Sequence, residues 1–303
     1  MAAAVDGTYA RHRRGYYLYL VPGTIGFLLI VLIPQIANFF LSFTAWKGVG
    51  TPRWIGLQNY QRLLADDQFW GSMIHTVLFI ISMTIIPVAI GVILASLLFD
   101  YIRDQFGERV SNLFRAGFYL PQILPITTAG VLWGWILSPV GVANIVLKAI
   151  GLAPLAQNWI GDATWALPAV SLMIVWIQVG YCLVVFMAGL SRIDPSLYEA
   201  AQLDGAGWWQ RLFSITVPML APEIFVVILT TLIAALKLFA PVFVLTAAGP
   251  DNATMVPSYL TYYHFFTTQR VGYAAAIAVV QMILTVALAI IFLRVQSRQQ
   301  ATE

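Results

Sequence analysis

The residue types that most often carry metal or nucleophilic chemistry are few in this chain and lie far apart. The histidines are His12, His75 and His264, and the single cysteine is Cys182. This spacing matches no pattern of metal ligands. No base stands near the cysteine in sequence, so a packing role inside its apolar run is favoured, and no intrachain disulfide is possible. We therefore predict no enzyme site, no metal site and no cofactor.

Nucleotide chemistry is also missing from the sequence. The pattern Gly-x-x-x-x-Gly-Lys-Ser/Thr, whose backbone amides cradle phosphate groups, does not occur anywhere in the 303 residues. If ATP drives this protein, the nucleotide must therefore bind to another chain.

Polar and aromatic side chains inside long apolar runs are the next candidates. Gln178 and Tyr181 share a helix face at i and i+3, and Trp176 stands beside them. Hydrogen-bonding groups and aromatic faces are the usual means of holding a sugar, so these residues are candidates for a substrate path. A glutamine inside a membrane also joins helices to each other, and both interpretations stay open.

Lys237 is the charged residue predicted to lie inside an apolar run. It follows the start of its predicted span by about fourteen residues. That depth favours a place on the translocation path, or in a charge pair beside it, over a side chain that reaches back to the membrane surface.

A polar stretch between two apolar runs predicts two short helices joined by a tight turn. Asp194 is a suitable N-cap, and the proline after it suits the first position of a helix over Pro195–Leu203. Gly205 suits the left-handed position that follows a helix. A second helix is expected over Trp208–Val217, because the residue before Pro218 is driven away from helical angles.

This stretch resembles the EAA loop of permeases from ATP-binding-cassette importers, in which Glu-Ala-Ala is followed at fixed spacings by Gly, Ile and Leu-Pro. The matching residues here are Glu199, Ala200, Ala201, Gly205, Ile215 and Pro218, with Val217 in place of the leucine. The resemblance implies that residues 191–222, which we call the elbow, form a cytoplasmic helix-turn-helix that couples to an ATPase. The coupling residues it implies are Glu199, Ala200, Ala201, Asp204, Gly205 and Ala206.

Further motifs resemble the carbohydrate branch of these permeases, which includes the maltose and glycerol-phosphate permeases. They are Ile55–Tyr60 with Phe69-Trp70, Leu120-Pro121 with Leu132-Trp133, Gly189-Leu190, and Leu236–Phe239 running through Val244–Thr246 to Gly249-Pro250. Ala240 stands where the family often has Asp, and Ala247 and Ala248 replace glycines. The resemblance implies a permease subunit that forms half of the translocation pore of an ATP-driven sugar importer. The implied partners are a second, related permease chain, two copies of a cytosolic ATP-binding subunit and an extracytoplasmic solute-binding protein.

The elements that must position these residues are membrane helices. The chain is 60% hydrophobic and 10% charged, whereas a soluble domain has about 25% charged residues. About 20 apolar residues cross a bilayer, so we predict an all-α polytopic membrane protein with six transmembrane helices. The predicted spans are residues 17–41, 73–99, 118–137, 166–190, 223–245 and 273–293. Pro121 and Pro125 are expected to break the third span, and Pro87 and Pro241 to kink the second and the fifth. They form one domain, 17–293, between an N-terminal tail, 1–16, and a C-terminal tail, 294–303, and the first run is expected to be a retained anchor.

The basic residues predict the orientation. Ten fall on the side of both termini: Arg11, Arg13, Arg14, Arg103, Arg109, Arg115, Arg192, Arg211, Arg294 and Arg298. Five fall on the opposite side: Lys47, Arg53, Arg62, Lys148 and Arg270. The positive-inside rule then predicts cytoplasmic termini and a cytoplasmic elbow, in a multi-pass protein of the bacterial inner membrane. This distribution explains the net charge of +3 without a nucleic-acid partner.

An ion-gradient-driven secondary transporter is the alternative function. Such a protein needs carboxylates inside the membrane, and the predicted spans offer only Glu223, at the end of one span. That scarcity favours the ATP-driven importer.

Overall fold

The structure is a computed structural model that describes residues 19–300, without the side chains of residues 103–104 and 297–300. The predicted N-terminal tail, including His12 and its neighbouring arginines, lies outside the described residues. The described chain is mainly helical, as predicted from the sequence. Its one departure from an all-helical fold is a short antiparallel ribbon.

The helices are numbered here in chain order. They are α1 Tyr19–Leu41, α2 Gln58–Leu64, α3 Asp67–Ile102, α4 Arg103–Phe106, α5 Glu108–Ile123, α6 Ile126–Ile136, α7 Val142–Ala149, α8 Ala163–Leu190, α9 Pro195–Leu203, α10 Trp208–Met219, α11 Ala221–Leu236, α12 Ala240–Leu245, α13 Pro257–Tyr262 and α14 Val271–Gln300. The ribbon pairs β1 (Thr44–Ala45) with β2 (Arg53–Trp54).

Four of the described helices are long and apolar enough to cross a membrane. They are α1, α3, α8 and the Val271–Gln296 part of α14. Helices α10 and α11 meet at a bend of 71° and count as a fifth crossing if the pair is taken as one span. Several apolar helices of this length are those of a multi-pass membrane protein.

The third predicted span, 118–137, is divided at Pro125 as predicted, but not at Pro121, which lies inside α5. Helix α5 ends at Ile123, and α6 begins at Ile126. Leu124 between them is extended, with ψ 133°, because the ring of Pro125 excludes helical angles for the residue before it. The apolar run is therefore divided between two shorter helices.

The fifth predicted span, 223–245, is divided into two helices, whereas the sequence predicts only a kink at Pro241. Helix α11 ends at Leu236, and α12 begins only at Ala240, with Pro241 in its first turn. Lys237 is the residue that follows α11, not a residue inside a helix. The 16 residues of α11 rise about 24 Å, most of the roughly 30 Å of a hydrocarbon core. Lys237 thus lies at the break between α11 and α12, about 24 Å along the run from the start of α11.

Three prolines that ought to interrupt helices are accommodated by wide turns. Pro34, Pro87 and Pro218 each follow a π-helical turn by two residues, at Leu28–Leu32, Ile81–Ile85 and Leu212–Thr216. In each case the residue before the proline bonds to the carbonyl five positions back. The wider turn shifts the carbonyl that the proline ring would strike, so the helix continues past the proline.

The chain divides into two compact units. The first takes in the chain up to Ala65 together with Thr261–Val280, and the second takes in Asp66–Leu260 and the chain from Gln281. In the second unit α8 is the central helix and packs most extensively on α3 and α5. Gly91 of α3 lies where a Cβ would be 2.6 Å from the Cβ of Cys182, so the absence of a side chain lets these two helices meet.

Candidate functional site: the elbow and the polar residues of the second unit

The first half of the elbow folds as the sequence predicts. Helix α9 spans Pro195–Leu203, and the carboxylate of Asp194 accepts a hydrogen bond from the backbone N–H of Ser196 at 3.0 Å. That bond lowers the pKa of Asp194, so the cap stays charged. A charged cap at a helix N-terminus also interacts favourably with the helix dipole.

The turn after α9 is a Schellman motif built on Gly205. Its φ is +77°, its N–H donates to Gln202 O at 3.0 Å, and the N–H of Ala206 donates to Ala201 O at 2.9 Å. These bonds satisfy carbonyls that the end of a helix otherwise leaves open. The left-handed conformation predicted for Gly205 is confirmed.

The second half of the elbow runs further than predicted. The expected end before Pro218 is wrong, because α10 continues to Met219 through the π turn at Leu212–Thr216. The chain bends after Met219, at Leu220, whose side chain is fully buried. The bend turns the chain from the elbow into α11.

The inner side of the elbow is part of the core of the second unit. Ile193, Tyr198, Leu212 and Leu220 are buried in one cluster with Phe186 and other residues of α3 and α8. The hydroxyls of Tyr198 and Thr216 lie 2.9 Å apart and join the two elbow helices. Burial raises the pKa of Tyr198, which keeps its hydroxyl neutral. The motif residue Ile215 packs against this cluster.

The outer side of the elbow is open to solvent. Glu199, Ala200, Asp204 and Gly205 are exposed, and Ala201 and Ala206 are partly exposed. Leu203 has 90% of its surface exposed at the tip. Sequence reasoning did not single out Leu203, although a leucine as the last helical residue before the turn is a signal for an apolar contact.

Two more apolar side chains on α10 are exposed. The rings of Trp209 and Phe213 stack with centroids 6.1 Å apart, and both are more than half exposed. Together with Leu203 they give the elbow large apolar side chains beside its acidic ones. Exposed apolar groups of this size are typical of surfaces that contact another protein or a membrane.

An ion pair ties the start of the elbow to its end. Arg192 donates to the carboxylate of Glu223, which is largely covered. Gly189 allows this approach, because a Cβ there would lie 3.0 Å from the Cγ of Glu223. Glu223, the carboxylate that the alternative function would require, is thus engaged in a structural contact at the beginning of α11.

The three candidates on α8 lie on one uninterrupted helix. Tyr181 OH is 3.3 Å from Thr230 Oγ1 of α11. Trp176 packs edge-on against Trp133 of α6, with centroids 5.7 Å apart. Gln178 is half-buried, and its carboxamide makes no hydrogen bond to any side chain or backbone group within residues 19–300. Both interpretations of Gln178, a contact to substrate and a contact to another helix, therefore stay open.

Trp176 also lines an apolar cavity of ≈ 390 Å³. Its other walls come from Leu113, Phe114, Gly117, Phe118 and Pro121 of α5. Pro121 is buried there inside the helix. Trp176 is therefore partly exposed to this cavity rather than enclosed in the core.

The break at Lys237 is supported by a residue that sequence reasoning missed. Gln281 of α14 donates from its carboxamide to the carbonyl of Leu236, and also to Ser258 Oγ at 2.7 Å. The end of α11 thus has a side-chain partner. A glutamine in the middle of an apolar run was the signal for it. Lys237 itself is exposed, and no hydrogen bond joins its side chain to the α8 candidates in the described part of the chain.

Comparison with known proteins relates this arrangement to a transport family. Residues 88–300 match the family described as "Binding-protein-dependent transport system inner membrane component". The chain is 38% identical to the probable ABC transporter permease protein YurN of Bacillus subtilis, over 90% of this chain and 93% of that protein. It is 30% identical to the lactose transport system permease protein LacF of Rhizobium radiobacter, over 90% of both chains.

A similar fold occurs in a solved transporter. A chain from the crystal structure of a bacterial ABC transporter involved in the import of the acidic polysaccharide alginate superposes with a TM-score of 0.83. The match covers 96% of this chain and 98% of that chain at 24% sequence identity. The two chains therefore share a fold.

Proposed function

The chain belongs to the family of binding-protein-dependent transport system inner-membrane components, and from that premise we propose that it forms half of the translocation pore of an ATP-driven sugar importer. The other half is a second, related permease chain. Two cytosolic ATP-binding subunits and an extracytoplasmic solute-binding protein complete the complex. The names of relatives that carry lactose and starch degradation products support a sugar as the solute.

The two-sided elbow is the observation that carries this proposal. Its inner side is fixed in the core through Tyr198 and Leu212, while Glu199 and Leu203 stand free on the outside. A helix pair held this way moves as one body with the bundle, so a force applied to its outer side reaches the spans. A connecting loop would need neither the exposed apolar tip nor the buried anchor.

In the proposed cycle, ATP binding closes the ATPase pair and the elbows move with it. The pore then opens outward and accepts sugar from the binding protein, and hydrolysis resets the complex. Gln178 and Trp176 hold the sugar in the pore by an amide contact and an aromatic face. ATP hydrolysis is assigned to the partner subunits, since this chain lacks a phosphate-binding sequence.

Uptake into proteoliposomes tests this function directly. The subunit, its permease partner, the ATPase and the binding protein are reconstituted together, with radiolabelled lactose and maltose as probes. We expect uptake to require ATP on the ATPase side and binding protein on the other. Uptake that proceeds without ATP and collapses with an ionophore would instead establish the ion-driven alternative.

The proposed topology keeps six crossings, two of them built from broken helices. We propose that α5 with α6, and α11 with α12, each cross the membrane as a pair, and that both termini and the elbow face the cytoplasm. Non-helical backbone at membrane depth is tolerated where it is buried in protein or lines a cavity. The excess of basic residues on the side of the termini supports this orientation.

Cysteine labelling checks the topology. In a Cys182→Ala background, an impermeant maleimide is expected to label Leu57→Cys in intact spheroplasts, since Leu57 is exposed directly before α2, in the loop predicted to face outward. The reagent is expected to reach Gln202→Cys and Gln300→Cys only after the membrane is opened. Labelling of position 202 from outside would overturn the cytoplasmic placement of the elbow.

A second prediction concerns Lys237. Its ammonium is exposed where α11 has ended, and we propose that it lies along the solute path. Lys237→Ala is expected to lower the uptake rate several-fold while sugar-stimulated ATP hydrolysis and subunit recovery stay near normal. Lys237→Arg keeps the charge and is expected to retain most of the transport. Full transport by Lys237→Leu would show that the lysine only reaches the membrane surface or supports the helix end.

A further inference from the structure

The basic side chains of the first unit surround a single cavity. Within its described residues, 19–65 and 261–280, the lysines and arginines are Lys47, Arg53, Arg62 and Arg270. All four line a cavity of ≈ 500 Å³. No aspartate or glutamate occurs in either stretch of sequence. The unit therefore places four positive charges around one opening and supplies no carboxylate of its own to balance them.

The cavity has a fixed backbone frame. The buried carboxamide of Asn59 donates to Ser42 O at 2.8 Å and to Thr44 O at 2.9 Å, which fixes the loop at the start of the ribbon. A Cβ on Gly272 would overlap the carbonyl oxygen of Thr44, so glycine lets the first turn of α14 approach this loop. The N–H of Gly272 donates to Trp46 O across the contact. The backbone that carries the cationic side chains is thus held in place by hydrogen bonds and by this close contact.

Aromatic groups line the same opening. The guanidinium of Arg62 lies 5.8 Å from the ring centroid of Tyr273, within range of a cation–π interaction. The indole of Trp46 donates to Gly50 O at 2.9 Å, which holds the loop that carries Lys47. Tryptophan and tyrosine are enriched where a membrane meets water, because their rings are apolar and their N–H or O–H groups are polar.

The cavity also lies at the ends of two spanning helices. Helix α1 ends at Leu41, three residues before the first cavity residue, Thr44. Helix α14 begins at Val271, between two residues of the cavity wall. The apolar side chains of α1 are exposed along its length, as in Ile30 with 77% of its surface open. A cationic cavity therefore adjoins an apolar helix surface at the level where hydrocarbon gives way to headgroups.

The location of these charges differs from that of the other basic residues. They are four of the five lysines and arginines that fall opposite the termini, where positive charge is scarce. Three of the four, Lys47, Arg53 and Arg62, precede residue 88, where the match to the transport family begins. Four of the five basic residues on that side therefore line one cavity.

We propose that this cavity binds the phosphodiester headgroup of an anionic phospholipid. Arginine presents paired N–H donors that fit two oxygens of a phosphate, and Lys47 adds a compact charge. The acyl chains lie along the exposed apolar surface of α1. The inference goes beyond transport, because it concerns the lipid around the subunit and not the solute that it carries.

Lipid binding to the assembled importer in nanodiscs tests the proposal. The probe is phosphatidylglycerol with a fluorescent acyl chain, in a phosphatidylcholine background, and its affinity is measured by titration. Removing two charges with Arg53→Gln plus Arg270→Gln is expected to weaken binding about thirtyfold. Lys148→Gln is the matched control, since Lys148 falls on the same predicted side but outside the cavity, and it is expected to bind like the wild type.

Further arms separate lipid binding from misfolding and from other anions. Arg53→Lys plus Arg270→Lys keeps both charges and is expected to retain most of the affinity, which shows that the scaffold survives substitution. Equal affinity of the glutamine variant and the wild type would overturn the proposal. The proposal would also be overturned if inorganic phosphate displaced the probe as readily as phosphatidylglycerol does. That result would indicate a site for the free anion.

A partner protein is the other source of negative charge. The glutamine variant could lose binding-protein-stimulated ATP hydrolysis to the same extent in nanodiscs with and without phosphatidylglycerol. That result would mean that the four cations bind an acidic protein surface, and it would reject the lipid site. A loss of activity confined to nanodiscs that contain phosphatidylglycerol supports the lipid site. If the wild-type complex does not transport sugar, the proposed function is contradicted. The lipid site is judged separately, by the affinity for phosphatidylglycerol.

Discussion

Gly205→Val is expected to abolish sugar-stimulated ATP hydrolysis and to reduce co-purification of the ATPase, with the permease still inserted in the membrane. Gly205 has φ +77°, and open space surrounds its Cα, so an added side chain meets no neighbour. The damage comes from the backbone, because a β-branched residue tolerates left-handed angles poorly. Relaxing that strain breaks the two hydrogen bonds of the Schellman turn and redirects the tip that carries Leu203.

Glu199→Lys tests the same surface by charge instead of shape. Glu199 is exposed on α9, and if its carboxylate meets a cation in a buried pair on the ATPase, reversing its sign costs on the order of 2–5 kcal/mol of docking free energy. We expect the loss of hydrolysis and of ATPase recovery to match that of the glycine variant. The two substitutions act by different physical routes, so agreement between them assigns the effect to docking.

The elbow offers a matched control for each change. Gly207 lies two residues beyond Gly205 at φ −67°, with nothing within 4 Å of an added Cβ. Gly207→Ala is therefore expected to leave coupling nearly intact. Gln210→Lys adds a positive charge to an exposed position of the second elbow helix and should do the same. Normal uptake and normal ATPase recovery by the Gly205→Val, Glu199→Lys double variant would reduce the elbow to a connecting loop.

The elbow was predictable because the signals that shape it are local. Asp194 caps the helix that begins one residue later. The turn at Gly205 ends it, because Gly205 N–H bonds to the carbonyl three residues back and Ala206 N–H to the carbonyl five residues back. Each signal acts within one or two turns of chain, the distance over which sequence pattern and backbone geometry are most directly related. The bounds Pro195–Leu203 and the sign of φ at Gly205 were accordingly confirmed.

The ends of the broken helices were less predictable, because they depend on contacts distant in sequence. Pro218 alone predicts a helix end, and only the π turn before it shows why α10 continues. The carbonyl of Leu236, at the end of α11, accepts a hydrogen bond from Gln281, which is 45 positions away in sequence. Nothing in the apolar run from 223 to 245 indicates that its helix end will contact Gln281. Hydropathy thus located the run but not the break inside it, at which Lys237 lies.

Gly180 is the strongest case of a residue whose role only the packing reveals. It is one glycine in the long apolar run of α8, where glycine in a helix interior ordinarily costs up to about 1 kcal/mol relative to alanine. In the structure a Cβ at this position would overlap the carbonyl oxygen of Phe118 and lie 3.0 Å from the Cα of Tyr119. Both neighbours are backbone atoms of α5, so neither can rotate away.

We therefore expect Gly180→Ala to destabilise the folded protein by on the order of 3 kcal/mol, because overpacking must push α8 and α5 apart. Thermal unfolding followed by size-exclusion chromatography measures the loss. Gly117→Ala makes the same substitution on α5 at a site with nothing within 4 Å of the added Cβ, and it should leave the midpoint unchanged or slightly raised. If the two variants unfold at the same temperature, the close approach of α8 and α5 at Gly180 does not hold the second unit together. A large difference in this pair would mean that α8 keeps Trp176 and Gln178 in place through a backbone contact that only glycine permits.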